Sequence, residues 1–254
     1  MSAVKLVPPV LPPVRYSHLK HMARSPAHYL GAVVAKSPNI EKGTAVHSLV
    51  LGGKRIIAYP GKVRNGGEWE AFKAANADAE ILTKNDFEKA KAMADSVKSN
   101  RTAMKVLEGR HELEVDWTYM GRACQSHIDN VGADFVTELK SGMTSDPARF
   151  FWHSLRMHYA GQVAFYDEAC RAKKLCDPKA HYIVCVEAAA PFVTTTFQLT
   201  ERALEQGRRS FRLWFERLLA CEAAGSWPGY CESVVDLDVP EEEPELTFGD
   251  EAAA

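Results

Sequence analysis

The sequence of residues 127–142 is HIDNVGADFVTELKSG. It contains the clearest strand signal in the chain. Two runs with the two-residue alternation of strands flank a turn near Gly132, so the stretch predicts a β-hairpin. In the second run Glu138 and Lys140 project from one face of the strand, and Leu139 projects from the other. Asp129 closes the first run. Two carboxylates and an ammonium therefore meet at one end of the hairpin.

This combination of side chains suggests hydrolysis. Two hard oxygen ligands are what Mg²⁺ prefers, and a neighbouring lysine can orient or help deprotonate an attacking water. An acid-x-lysine triplet also occurs on exposed strands as a solvated pair that contributes little. The interpretation of Asp129, Glu138 and Lys140 as a site therefore depends on the rest of the chain.

The pattern around the hairpin predicts an α/β fold. A strand beginning at Glu112 extends the hairpin into a three-stranded antiparallel meander. A buried helix that carries His47 and ends at Gly52-Gly53 precedes the meander. A long helix, 147–173, follows it and places Gln162 and Tyr166 on one face. The remaining predicted elements are two short N-terminal helices capped by Ser17 and Ser25, a strand at 55–61, a helix-rich section at 68–109, two strands after residue 180 and a last helix at 200–223.

Length and composition are those of an ordinary soluble globular protein with one large domain or two small ones. The chain has 254 residues, of which 46% are hydrophobic and 25% charged, and no apolar run approaches the length that spans a bilayer. The opening MSAVKLVPPVLPPVRY has prolines where a secretory signal carries its apolar helix. We expect a cytoplasmic protein that does not associate with membranes. Its predicted parts are a Pro-rich arm at 1–15, one domain at 16–235 and an acidic, disordered tail at 236–254.

Charge is distributed unevenly along the chain. The stretch after Arg217 contains ten acidic residues and no Lys or Arg, so residues 1–217 carry 31 − 23 = +8. A basic body with an acidic end is typical of proteins that bind nucleic acid. The arginines of the two long helices are candidates for phosphate contacts: Arg149, Arg156, Arg208, Arg209 and Arg212.

The six cysteines include no CxxC pair, so we expect thiols rather than a disulfide framework or a zinc ribbon. A zinc site built from His18, His21 and His28 with scattered cysteines is an alternative. It lacks a fourth ligand at a recognisable interval.

Taken in order, the candidate residues follow a family pattern: His47 on a helix, then Asp129, then Glu138-x-Lys140 on a sheet, then Gln162-x-x-x-Tyr166 on a helix. This order resembles the PD-(D/E)XK nuclease superfamily, and within it the RecB-like and exonuclease VIII-like (RecE-type) exonucleases of phages and prophages. The resemblance extends from Tyr16 to Tyr230. It implies a restriction-endonuclease-like core, in which helices flank a central mixed sheet that contains the meander.

The resemblance also implies roles for these residues. His47, Asp129, Glu138 and the backbone carbonyl of Leu139 would hold Mg²⁺, for which Mn²⁺ could substitute. Lys140 would orient the water, and Gln162 and Tyr166 would support metal, water or phosphate. Ile128 stands where the family usually has proline. The cysteines do not match the branch that binds an iron–sulfur cluster, so we expect no cluster.

The implied function is a metal-dependent exodeoxyribonuclease that acts on linear double-stranded DNA in recombination or repair and leaves 5′-phosphate products. Related enzymes form rings and pass single-stranded product to an annealing protein, so a homo-oligomer and such a partner are expected. Two alternatives remain open. One is an endonuclease or nickase of the same superfamily, and the other is a catalytically silent DNA-binding scaffold for recombination.

Overall fold

The computed structural model describes residues 11–32 and 38–237. Most of the predicted arm, 1–15, and nearly all of the predicted acidic tail, 236–254, lie outside the described residues. The part of the arm that is described runs alongside the sheet. The Val14 amide donates to the Ala123 carbonyl at 2.9 Å, and the Val14 carbonyl accepts from the Gln125 amide at 2.9 Å.

The described chain forms both helices and strands. The helices are α1 (Tyr16–Leu19), α2 (Pro26–Leu30), α3 (Pro38–Leu51), α4 (Gly66–Ala75), α5 (Lys84–Ser99), α6 (Arg101–Val106), α7 (Pro147–Met157), α8 (Tyr159–Ala172) and α9 (Glu201–Ala224), with a 3-10 turn at Lys20–Ala23. The strands are β1 (Arg55–Tyr59), β2 (Ala79–Thr83), β3 (Arg110–Tyr119), β4 (Arg122–Val131), β5 (Phe135–Gly142), β6 (Ala180–Glu187) and β7 (Thr194–Gln198).

The central sheet is mixed, with strand order β3-β4-β5-β6-β7. Strands β3, β4 and β5 form the predicted antiparallel meander. Strand β6 pairs parallel to β5, and β7 returns antiparallel to β6. The α/β fold class, with a mixed sheet and an antiparallel meander flanked by helices, is confirmed.

Two apolar clusters hold the helices against the sheet. The first contains residues of α1, α8 and α9, among them the fully buried Phe165, Phe211 and Phe215. The second contains residues of α3, α5 and α6 together with Leu139. Burying a large apolar side chain stabilises a fold by about 1.5–3 kcal/mol. The two clusters thus fix helices on both sides of the strand that carries Glu138 and Lys140.

Several local signals produce the predicted structure. The Ser25 side chain caps α2 by accepting from the His28 amide at 3.3 Å. The Thr83 side chain caps α5 by accepting from the Asp86 amide at 3.1 Å. Helix α3 ends where Gly52 and Gly53 adopt φ of +88° and +132°, a conformation that glycine reaches without steric cost. Ser17, in contrast, is not an N-cap, because α1 begins one residue earlier and Arg15 occupies that position.

Two predicted elements are wrong in detail. The helix predicted at 147–173 is two helices, because His158 takes a left-handed φ of +58° between α7 and α8. The Tyr16 hydroxyl donates to the His158 carbonyl at 2.6 Å, so a partner distant in sequence stabilises the break. The section predicted as helical at 68–109 contains strand β2. This strand is only five residues long, and its register is set by parallel pairing with β1.

The described helices include none that is both long enough and apolar enough to cross a membrane.

Candidate active site

The candidate site lies where β4 and β5 separate. Their ladder pairs Val131 with Val136 and Asn130 with Thr137, and it stops before Asp129 and Glu138, which the same register would place opposite each other. Beyond that point, the Asp129 Oδ2 atom accepts a hydrogen bond from the Leu139 amide at 2.7 Å. A strand residue directs its N–H and C=O to the same side. The Leu139 carbonyl, predicted as a metal ligand, therefore faces the same gap as Asp129.

On its other side, β4 brings Asp129 opposite a residue that the sequence analysis missed. The β3–β4 pairing skips Glu112 and Asp129, which its register would place opposite each other. Glu112 has a φ of +51° there, which is a strained conformation for a residue with a side chain. The alternation of β4 breaks here as well, since Ile128 and Val131 both pack in the first apolar cluster although they are three residues apart. Ile128, which replaces the usual proline, is thus a core residue at this break.

The His47 side chain joins Glu112 and Asp129. The His47 Nδ1 atom lies 3.4 Å from Asp129 Oδ1 and 3.8 Å from Glu112 Oε1. The potential ligand atoms of His47, Glu112 and Asp129 all lie within 4.8 Å of one another. Among the side chains that the structure describes, those of residues 11–32 and 43–237, no other group of three His, Cys, Asp or Glu is arranged in this way.

Two of the three histidines of the zinc alternative have other partners. His18 Nε2 bonds to the Tyr29 carbonyl at 2.7 Å, and His28 Nδ1 bonds to Ser25 Oγ at 2.6 Å. They hold the N-terminal helices together, and the described chain places no cysteine with them in a metal-binding group.

The donor set fits a divalent cation. Glu112 Oε1 and Glu138 Oε2 are buried and have no hydrogen-bond partner in the described chain. Buried carboxylate oxygens without a partner are costly and need an explanation. Oxygen ligands with one imidazole suit Mg²⁺ or Mn²⁺, so a cation bound between these side chains would explain them.

A second network joins β5 to α8. Lys140 Nζ donates to Glu138 Oε1 and, at 3.1 Å, to Gln162 Oε1. Gln162 Nε2 donates to Glu138 Oε1 at 2.8 Å and to the Tyr166 hydroxyl at 2.9 Å. The Lys140 ammonium also lies 4.8 Å from the centre of the Tyr159 ring. The structure thus brings together Glu138, Lys140, Gln162 and Tyr166, as the sequence order predicted.

The two central carboxylates differ in acidity. Burial opposes ionisation of Asp129, but the His47 charge and hydrogen bond outweigh burial and lower the pKa of that carboxyl. Burial, together with the charge of Asp129, raises the pKa of Glu138 to about 7 even though Lys140 acts in the opposite direction. Neighbouring acids whose pKa values are pushed apart are characteristic of active sites. Asp129 is therefore the permanent anion, and Glu138 titrates near neutrality.

The basic groups are shifted by the same charges. Burial lowers the pKa of His47, but Asp129 and Glu112 outweigh it and raise the value to about 10. Burial also disfavours the ammonium form of Lys140, yet Glu138 and Asp129 produce a net upward shift in its pKa. Burial keeps the pKa of Tyr166 well above its ordinary value. Without a bound metal, His47 and Lys140 are therefore cations and Tyr166 is a neutral phenol.

An ion network fixes helix α8 behind these residues. The fully buried Asp167 accepts from His181 Nε2 at 2.9 Å, from Arg171 at 3.1 Å and from Arg208 at 3.2 Å. These partners belong to β6, α8 and α9, so the network ties three elements together. Because Asp167 follows Tyr166 in α8, the network also fixes the rotation of the helix that presents Gln162 and Tyr166.

The arginines predicted to contact DNA fall into two groups. Those of α9 pair with acids: Arg208 with Glu205 at 2.8 Å, Arg209 with Glu205 at 3.0 Å and Arg212 with Glu216 at 3.0 Å. Arg149 and Arg156 of α7 are exposed, and the described residues provide no carboxylate within ion-pair distance of either. The positive charge of α7 is therefore more available to a phosphate than that of α9.

The family model described as "PDDEXK-like domain of unknown function (DUF3799)" matches residues 16–237. The chain belongs to this family. Membership confirms the predicted assignment to the PD-(D/E)XK superfamily, whereas the narrower RecE-type assignment stays a prediction. Among curated proteins, none matches the sequence.

Solved structures give a further comparison. A crystal structure of a protein named "Putative exonuclease", from Eubacterium rectale, is 17% identical, with 93% of each chain covered and a TM-score of 0.62. At that identity the likeness shows a shared fold. A structure of LHK-Exo in complex with dAMP is 9% identical over 71% of this chain and 91% of that chain. Its TM-score of 0.30 is too low to establish a shared fold.

Proposed function

We propose that this protein is a metal-dependent deoxyribonuclease that degrades linear double-stranded DNA from its ends. The observation that carries the proposal is the convergence of His47, Glu112 and Asp129 beside the Glu138–Lys140–Gln162 network. Membership of a PDDEXK-like family supports a nuclease. The name of the Eubacterium rectale relative supports exonuclease activity in particular.

The metal-binding residues in this proposal are Asp129, Glu138, Glu112 and His47, with the Leu139 carbonyl facing the same gap. A bound Mg²⁺ or Mn²⁺ would offset the charge that develops on the scissile phosphate and the leaving 3′ oxygen. His47 must lose its proton to become a ligand, because only the neutral imidazole offers a lone pair.

Lys140 would bind and orient rather than remove a proton. Its raised pKa keeps it an ammonium, so it can donate to a phosphate oxygen or to the attacking water. Gln162 holds the ammonium at 3.1 Å and is itself held by Tyr166. Attack on phosphorus opposite the 3′ oxygen would leave 5′-phosphate products. Roles in recombination or repair, a homo-oligomer and an annealing-protein partner stay predictions.

The test is digestion of linear and closed circular duplex DNA with Mg²⁺, Mn²⁺ or EDTA. We expect metal-dependent loss of linear DNA only, and no loss with Asp129→Asn or Lys140→Ala. Asp116→Asn, which alters an exposed carboxylate of β3, is the matched control and should remain active. Cutting of circular DNA would favour an endonuclease. Survival of both substrates with every metal, while DNA is still bound, would favour the scaffold.

A further inference from the structure

The N-terminal turn places a second lysine beside the candidate active site. The Tyr16 hydroxyl bonds to the His158 carbonyl at 2.6 Å, immediately before α8. Lys20 follows Tyr16 by four residues through α1 and the 3-10 turn, and residues four apart in helical structure share a face. Tyr159, the first residue of α8, has its ring 4.8 Å from Lys140 Nζ. The Lys20 amide bonds to the Tyr16 carbonyl, so one helical turn separates the two residues. Burial and the charge of Lys20 lower the pKa of His158, and burial and the charge of Lys140 lower the pKa of Lys20, so Lys20 lies near the start of α8 and within electrostatic range of Lys140.

These two lysines differ in their partners. Lys140 is bonded to Glu138 and Gln162. Lys20 is half-buried, and the described part of the chain provides its side chain with no carboxylate and no hydrogen-bond acceptor. Burial and the charge of Lys140 both lower the pKa of Lys20. An ammonium that is partly removed from water and placed beside another cation is unfavourable unless an anion joins it.

The sequence around Lys20 favours an anion as well. Residues 11–32 contain three Lys or Arg and three histidines but no Asp or Glu. A shallow pocket next to the turn is lined by His21, Arg24 and His28. Arg24 is exposed and adds a permanent cation beside the turn, which favours an anion at this surface.

We propose that Lys20 is a substrate-binding residue that donates to a non-bridging oxygen of the DNA phosphate next to the one that is cut. The proposal rests on the proposed nuclease function and specifies how its substrate is held. Lys140 would contact the scissile phosphate, and Lys20 would contact its neighbour. Substrate would then relieve the repulsion between the two lysines.

Binding of a short duplex oligonucleotide in EDTA, followed by fluorescence anisotropy, tests this without cleavage. We expect Lys20→Ala to weaken binding about tenfold, as for a lost hydrogen bond to a charged group. The slope of log Kd against log salt should become shallower by about one phosphate contact. Lys20→Arg should retain the wild-type slope. Lys98→Ala, an exposed lysine of α5, is the matched control and should bind like wild type.

Neutral methylphosphonate linkages identify the phosphate. A methylphosphonate at the linkage next to the cut should weaken DNA binding by the wild type. The same substitution should not weaken DNA binding by Lys20→Ala any further, because both changes remove the same contact. Equal Kd and equal salt slope for Lys20→Ala and wild type would overturn the Lys20 proposal even if the enzyme cuts DNA. If wild type cuts no DNA but Lys20→Ala still weakens binding as described, the nuclease proposal fails and the Lys20 contact stands.

Discussion

Metal binding at the candidate site should depend steeply on pH. Protons compete with the metal at two of the proposed ligands, since neither a protonated carboxyl nor an imidazolium binds a cation. Glu138 has a pKa raised to about 7, so its ionised fraction falls about tenfold between pH 8 and pH 6. His47 has a pKa raised to about 10, so its neutral fraction falls about a hundredfold over the same interval.

The two effects multiply. If both residues bind the metal, the apparent Kd for Mn²⁺ should be about a thousandfold weaker at pH 6 than at pH 8, which corresponds to about 4 kcal/mol. His47→Gln removes the larger effect, so its Kd should weaken only about tenfold over that interval. Isothermal titration calorimetry in buffers of different ionisation enthalpy measures both the Kd and the proton released. Wild type should release about one proton at pH 8, and His47→Gln almost none.

Thermal unfolding gives an independent measurement of the same site. At a metal concentration 100-fold above Kd, binding should stabilise the folded protein by about 2.7 kcal/mol. For a domain of this size that raises Tm by about 5–10 °C. Asp129→Asn should lose the shift, and Asp116→Asn should keep it. A Kd that does not change between pH 6 and pH 8, or an equal Tm shift in Asp129→Asn, would refute the assignment of the ligands.

Three further predictions follow from individual contacts. Lys140→Ala should lower the rate of DNA cleavage by about 10²–10³-fold, as for the loss of one charge-stabilising donor, without weakening Mn²⁺ binding in a titration, since the lost group is a cation; weaker Mn²⁺ binding would contradict that role. Asp167→Ala should lower the free energy of unfolding by about 3–5 kcal/mol in urea titrations, because it leaves buried partners such as His181 without their carboxylate; a loss below about 1 kcal/mol would indicate that the network contributes little. Gly207→Ala should lower it by about 1–3 kcal/mol, because the added Cβ would overlap the Ala160 backbone where α8 and α9 meet; unchanged stability would show that the two helices can move apart.

The left-handed conformation of Glu112 links stability to function. A non-glycine residue in this region costs on the order of 1 kcal/mol or more, and the Glu112 carboxylate has a buried oxygen without a hydrogen-bond partner. The left-handed conformation and the buried oxygen both lower the stability of the folded protein. The left-handed conformation nevertheless places a third carboxylate beside Asp129. Strain of this kind is typical of binding sites, where the fold stabilises a conformation that the ligand needs.

Features that depend on residues near one another along the chain could be predicted from the sequence alone. Alternation in 127–142 established the hairpin, and with it the shared face of Glu138 and Lys140. Capping chemistry located the starts of α2 and α5, and Gly52-Gly53 located the end of α3. The order of the motifs was sufficient to indicate the superfamily, because each motif is a short run of residues.

Features that depend on partners distant in sequence could be identified only in the folded structure. Glu112 was missed because an acid at the start of a strand is unremarkable until strand register places it opposite Asp129. The break at His158 depends on Tyr16, more than a hundred residues earlier, and β2 depends on parallel pairing with β1. The role proposed for Lys20 follows only from the folded structure, in which α1 packs against α8 near Lys140. Periodicity and capping report local free energies, whereas register, helix breaks and the field of a distant charge arise from contacts that form only when the whole chain has folded.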